Sequence, residues 1–259
     1  MCGRYVMTRA VGDLVAEAEA EADDALQLRA SWNVAPTTEV PIVLERLVDG
    51  AVRRQVHVAR WGLVPRWAED PAVGNRAFNA RTETVLEKPT FRDAVPQRRC
   101  AVPVEGYYEW TAGPDGGRVP MFVRPEQGGL IWLAGLYEWW RDPQRPASDP
   151  GRWLLTTTVL TVAAPEPDDA DPALAALGSL HDRLPLALAP GMLEQWLDPG
   201  RRDAPALVAA AHAQAFTAAG SWRLRSANPA VGNVRNDGPQ MLQPGPEGAL
   251  PQAAGEALF

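Results

Sequence analysis

The chain has 259 residues, 46% of them hydrophobic and 22% charged, ordinary values for a soluble globular protein able to bury a substantial core. It has no run of about 18 apolar residues, which argues against a membrane span; two cysteines (Cys2 and Cys100) and three scattered histidines, with no CxxC or HExxH, argue against a disulfide scaffold and a metal site. The net charge of −7 hides an asymmetry: residues 13–24 carry six acids and no base, whereas residues 53–99 carry ten bases against five acids, and a phosphate partner responds to that local field.

The chain begins MCGRYV. With no basic n-region or apolar h-region after the start, Cys2 does not read as a lipoprotein cysteine, and the expected compartment is cytoplasmic. A residue as small as cysteine permits removal of Met1, which would leave an α-amine and a thiol on adjacent carbons. Such a 1,2-aminothiol condenses with aldehydes: the amine forms an imine, and the thiolate closes onto it to give a thiazolidine. Reference pKa values of about 8 for an α-amine and about 8.5 for cysteine leave both groups partly reactive at neutral pH. The plainer alternative is a terminal residue leading into a strand. Lysine occurs once, as Lys88 in LEKPTF, so few other amines are available for carbonyl chemistry, and Lys88 itself reads as solvated.

VGDLVAEAEAEADDALQL reads as an amphipathic surface helix with Leu14, Val15, Ala18 and Ala22 on one face. VPIVLERLV, the pair Asp49-Gly50 and AVRRQVHVARWGLV form a predicted β-hairpin, with His57 packed or at its edge. NARTETVLEK predicts a short helix starting near Asn79. RRCAVPV and PMFVR predict strands flanking GYYEWTAGPDGG; LIWLAGLYEWW predicts another, and WLLTTTVLTV a buried one. HDRLPLAL leads into a further strand, GMLEQWL into a short helix, and DAPALVAAAHAQAF into a helix carrying His212 on its surface. The Pro- and Asp-rich stretches 141–151 and 164–178 read as loops.

Four polar signals stand in apolar surroundings. In GYYEWT, Glu109 sits between Tyr108 and Trp110, which suits a general acid or base with a raised pKa, or equally a salt-bridged strand glutamate. In HDRLP, His181 suits proton transfer or a turn cap. In FNARTE, Asn79 and Arg81 suit an oxyanion, sugar or phosphate, or else Asn79 caps a helix. RWGLVPRW mixes Trp61 and Trp67 with Arg60 and Arg66, the combination that stacks unpaired bases and neutralises phosphates.

MCGRY, WNVAPT (32–37), RWGLVPRW (60–67), FNARTET (78–84), RRC (98–100) through GYYEW (106–110), LHDRLPL (180–186) and AVGNVRNDGP (230–239) occur in the order seen in SRAP (SOS-response-associated peptidase) proteins, and the chain resembles that family from residue 2 to about 243. The resemblance implies a covalent crosslink to abasic sites in single-stranded DNA through a Cys2 thiazolidine. It implies that Asn79 holds Cys2 and the opened deoxyribose, that Glu109 transfers protons, and that His181 assists formation or reversal of the Schiff base. Arg4, Arg81 and Arg183 would hold phosphates, Trp67 and Trp110 would pack on nucleotides flanking the lesion, and Thr157 would add a backbone contact. The 141–151 and 164–178 stretches depart from the family pattern.

Two other readings use the same residues. Cys2, His181 and Asn79 are the residue types of a cysteine peptidase, and a non-covalent single-strand binding module would leave Cys2 structural. The expected architecture is α+β: one domain over residues 1–243 with a mostly antiparallel, strongly curved or barrel-like β core and peripheral helices, followed by a disordered tail at 244–259. No cofactor is expected, and the expected state is a monomer that associates with the nucleoid when bound to DNA.

Overall fold

The computed structural model describes residues 2–113 and 116–244. The chain runs β1 (Tyr5–Met7), α1 (Val11–Ala18), β2 (Ser31–Val34), β3 (Glu39–Val48), β4 (Ala51–Trp61), β5 (Asn79–Arg81), β6 (Arg99–Val104), β7 (Gly106–Ala112), β8 (Arg118–Pro125) and β9 (Ile131–Arg141). It continues with β10 (Trp153–Ala163), α2 (Pro172–Leu180), β11 (Arg183–Pro185), α3 (Pro190–Leu197), α4 (Ala204–Ala213), α5 (Ala215–Ala219) and β12 (Trp222–Ser226). The tail anticipated at 244–259 lies, from residue 245 on, outside the described residues.

Five strands close on themselves in the order β10, β4, β3, β6, β9 and back to β10. All of these pairings are antiparallel except β4 with β10. Closure removes exposed edges and gives the curved β core anticipated from the sequence. The β3–β4 hairpin turns at Asp49 and Gly50, both left-handed (φ 49° and 79°), the backbone that a two-residue type I′ turn demands. Helix α3 covers the outside beside β6 with α4 packed against it, and its buried Trp196 donates the indole N–H to the carbonyl oxygens of Cys100 and Gly135. Cys100 is buried there as a small hydrophobe, and burial pushes its thiol up to about 12.

A second sheet, ordered β12, β8, β7, β1, β2, packs against this barrel. Its period-2 alternation divides two buried faces. Tyr5, Tyr107, Met121 and Val123 join the main core with Cys2, whereas Val6, Tyr108 and Phe122 are buried under the 227–242 segment.

Tertiary pairing overrides local helix signals in two places. The 11–28 helix stops at Ala18, because Glu19 turns left-handed (φ 49°) and Glu21 pairs with Gln55 of β4. No helix starts at Asn79: residues 79–81 instead add β5 in parallel to β10, with Asn79 opposite Val159, and turns follow. The 164–178 stretch is only partly loop, since Asp171 accepts the Ala173 N–H and Pro172 occupies the first turn of α2.

Candidate functional site

β10 aligns most of the site. Where β4 leaves its edge, β5 takes over, with Gly62 N–H donating to Thr157 O, Val159 N–H to Phe78 O and Thr82 N–H to Thr161 O. Near the end of β10, β11 returns in antiparallel pairing, with Thr161 opposite Pro185 and Ala163 opposite Arg183. One strand thus sets Asn79 and Arg81 against the residues that follow His181.

Cys2 is buried, at 1% exposure, immediately before β1. The Asn79 amide donates to the Cys2 carbonyl oxygen at 2.7 Å, while the buried Asn79 Oδ1 has no hydrogen-bond partner among the described residues. Burial pushes the Cys2 thiol up, and the nearby Glu109 charge adds to the effect; the Arg4 backbone N–H acts in the opposite direction. The thiol is therefore held in its neutral form. Tyr5 lies in the same apolar cluster, its ring 5.0 Å from Trp61, and its buried hydroxyl also lacks a partner among the described residues.

Glu109 is 4% exposed in the middle of β7. Alternation directs it to the face of Tyr107 and Tyr5. The flanking Tyr108 and Trp110 belong to the opposite face, so they do not form the aromatic wedge suggested by adjacency in GYYEW. Helix α2 packs on β7 and ends at His181, which brings His181 Nε2 to 3.9 Å from Glu109 Oε1. The other ring nitrogen has two partners with opposite requirements. Nδ1 accepts the Arg183 N–H at 3.0 Å when it carries no proton, and faces Asp182 Oδ1 at 2.6 Å when it does. The imidazole is thus supported in either protonation state, which suits a group that gives and takes a proton.

The expected phosphate ligands differ in availability. Arg81 is exposed and makes no ion pair among the described residues. Arg4 donates to Val231 O at 2.8 Å and Asn33 Oδ1 at 3.2 Å, and its guanidinium lies 6.0 Å from the Trp110 ring; burial lowers its pKa. Arg183 is held bidentately by Glu83 at 2.8 and 3.0 Å and also donates to Thr161 O. It is a positioned, already neutralised cation. Trp67 is 58% exposed, with its indole N–H 3.5 Å from Pro89 O, and Trp110 is partly buried.

Thr157 leaves the set of contact residues. It is fully buried in the barrel wall, with its hydroxyl donating to Leu136 O, so it has no surface to offer a strand. Within the TTT run and the residues after it, Thr161 is the threonine whose oxygens meet Arg183.

Asn33 is a site residue that the sequence did not single out, although WNVAPT and AVGNVRNDGP flank both sides of its contacts. It accepts from Arg4 and donates to the carbonyl oxygens of Val231, Asn233 and Asn236, while Asp237 accepts the Trp32 N–H. These bonds fasten the 230–237 loop beneath Arg4. The signal was the co-occurrence of the two motifs, which gave no hint that they touch.

Comparison with known proteins follows this geometry. A family model described as SOS response associated peptidase (SRAP) matches residues 1–234. The abasic site processing protein YoqW of Bacillus subtilis (strain 168) is 32% identical over 206 residues, covering 78% of this chain and 83% of that protein. The abasic site processing protein HMCES of Gallus gallus is 28% identical over 247 residues, covering 83% of this chain and 66% of that protein. A crystal structure of a protein from Bacteroides thetaiotaomicron superposes with a TM-score of 0.70 at 21% identity, over 94% of this chain and 100% of that one, and shows the same fold.

Proposed function

This chain belongs to the SRAP family, and on that premise we propose that it processes abasic sites in single-stranded DNA by forming a thiazolidine crosslink through Cys2. The observation that carries the reading is the placement of Cys2: its carbonyl is held by Asn79, its thiol is dry and neutral, and the Glu109–His181 pair lies on the same side of β7.

Loss of Met1 converts the Cys2 nitrogen into an α-amine at a position fixed by Asn79. That amine adds to the C1′ aldehyde of the ring-opened abasic sugar, and water leaves to give an imine. The thiol sulfur then adds to the imine carbon, its proton passes to the nitrogen, and the five-membered ring closes. The net change is loss of one water. Glu109 accepts the proton of the attacking ammonium and passes it to His181, and the imidazolium so formed protonates the departing hydroxyl and returns to neutrality. A protonated thiol suits this order, because sulfur is required only after the imine exists.

Arg81 and Arg4 are the cations for the phosphates around the lesion, with Trp67 and Trp110 beside the flanking nucleotides. A Cys–His–Asn peptidase finds less support: the Asn79 amide is committed to the Cys2 carbonyl, and His181 faces a carboxylate rather than an asparagine.

Intact-protein mass spectrometry tests the reading. After incubation with a single-stranded oligonucleotide carrying one abasic site, the protein lacking Met1 gains the oligonucleotide mass minus one water. An adduct that also forms when Met1 is retained overturns the aminothiol mechanism.

A further inference from the structure

Away from Cys2, the start of β10 and the end of β9 frame a groove of about 810 Å³ lined by Arg66, Trp139, Arg141, Pro150 and Trp153. Trp153 is 46% exposed, unusual for the largest apolar side chain. Arg152 lies over its ring at 5.3 Å, and Trp153 pairs with Arg141 across the ladder.

The charge around the groove is uneven. Arg66 and Arg98 share the single carboxylate of Glu138, and Arg145 meets Asp142 and Asp149. Arg141 and Arg152 make no ion pair among the described residues. Arg66, whose side chain is 62% exposed, is followed directly by the exposed Trp67. An exposed indole with unpaired guanidinium groups beside it matches the chemistry of an unpaired base and its phosphates.

We infer that this groove is a second binding site for the same DNA strand, in which an unpaired base stacks on Trp153 while Arg141 meets the adjoining phosphate. The inference rests on the proposed single-strand function. Trp153 precedes Val159, the partner of Asn79, by six residues on β10, a separation of about 20 Å at ~3.3 Å per residue. A stacked strand at about 3.4 Å per nucleotide spans that distance in roughly six nucleotides. The groove therefore reads DNA well beyond the lesion, on one side only.

The test uses single strands carrying a tetrahydrofuran analogue, which has no aldehyde and so reports binding without crosslinking. One strand has two nucleotides on each side; two others extend either the 5′ or the 3′ arm to ten. Extending one arm, but not the other, raises affinity for the native protein. Trp153→Ala removes about fivefold or more of that gain. Arg141→Ala lowers the salt slope for the same strand by about 0.7. Neither variant alters binding of the short strand, or the crosslinking rate when a true abasic strand is saturating.

Equal losses for short and long strands, or no loss with either variant, overturn the inference, and a groove serving a protein partner gives the second result. A duplexed arm that gains as much as the single-stranded arm also overturns it, because the stacking base is then paired. If Cys2 forms no crosslink, the tetrahydrofuran measurements still decide the groove, so the two failures are separable.

Discussion

Arg99 and the cluster around Cys2 both hold polar atoms away from water, and the chain satisfies them differently. Arg99 is 3% exposed, yet it donates to four carbonyl oxygens: Trp196, Val95, Asp198 and Arg201, at 2.6–2.9 Å. Around Cys2, the Tyr5 hydroxyl and Asn79 Oδ1 are equally dry and have no such bonds among the described residues. An unmade bond in the interior costs about 1–3 kcal/mol. The Arg99 network ties α3 and the loop after it to the barrel, whereas the two atoms near Cys2 make no such ties among the described residues.

The largest expected effect breaks the contrast at its functional side. Cys2→Ser keeps the amine but cannot close a thiazolidine, so no durable adduct should survive on a denaturing gel with an abasic strand, while the denaturation midpoint stays close to that of the native protein. A stable adduct in this variant would falsify the assignment of the thiol. On the structural side, Arg99→Met leaves four carbonyl oxygens without their donor and should lower unfolding free energy in urea by about 3 kcal/mol or more.

A smaller effect sharpens the comparison within one residue type. Tyr5→Phe deletes a hydroxyl that has no partner among the described residues and should stabilise the fold by up to about 1 kcal/mol, whereas Tyr108→Phe deletes one that donates to Trp32 O and should destabilise it by about the same amount. Thermal melts of the two variants should move in opposite directions; shifts of one sign would remove the distinction between the two hydroxyls.

The smallest effect concerns pH. Hydrogen bonds from Arg183 lower Glu83 to about 2, against an ordinary carboxylate value of about 4.3. A lowered folded-state value means that the pair contributes its stability fully above about pH 4.3 and loses it as pH falls through about 2. Glu83 is largely exposed, so solvent screens the contribution to under about 1 kcal/mol. A carbon NMR titration of the Glu83 carboxyl should show the low midpoint, and Arg183→Ala should return it to the ordinary range.

Legibility in the sequence followed how local the determining forces were. The β3–β4 hairpin was readable because Asp49-Gly50 encodes its own turn, whereas GYYEW, read as the stretch between two strands, is itself β7. Asn79 read as a helix start because its neighbours have helical propensity, but the hydrogen bonds that decide its backbone come from β10, eighty residues away in the chain. Thr157 failed for a related reason: three consecutive threonines look alike until the barrel assigns each an environment. Cys2, Asn79, Glu109 and His181 could be named from motifs, but the opposite facing of Glu109 and Trp110, the double support of His181 Nδ1 and the fastening of Arg4 by Asn33 all depend on contacts between distant segments.

The excursion between β10 and β11 leaves at Ala163 and returns at Arg183, directly opposite each other, with the Ala164 N–H donating to Asp182 O. Whatever lies between is a closed detour with its exit and entry clamped. The exposed 166–169 turn of this detour can therefore accept a fluorophore or a short inserted peptide without moving Arg183 out of register. Gly178 shows where that freedom ends: a side chain there would strike the Pro165 carbonyl, only 2.2 Å from its Cβ position. The detour is a natural attachment point for a probe that watches His181 while DNA binds, because the strand beside it absorbs none of the added length.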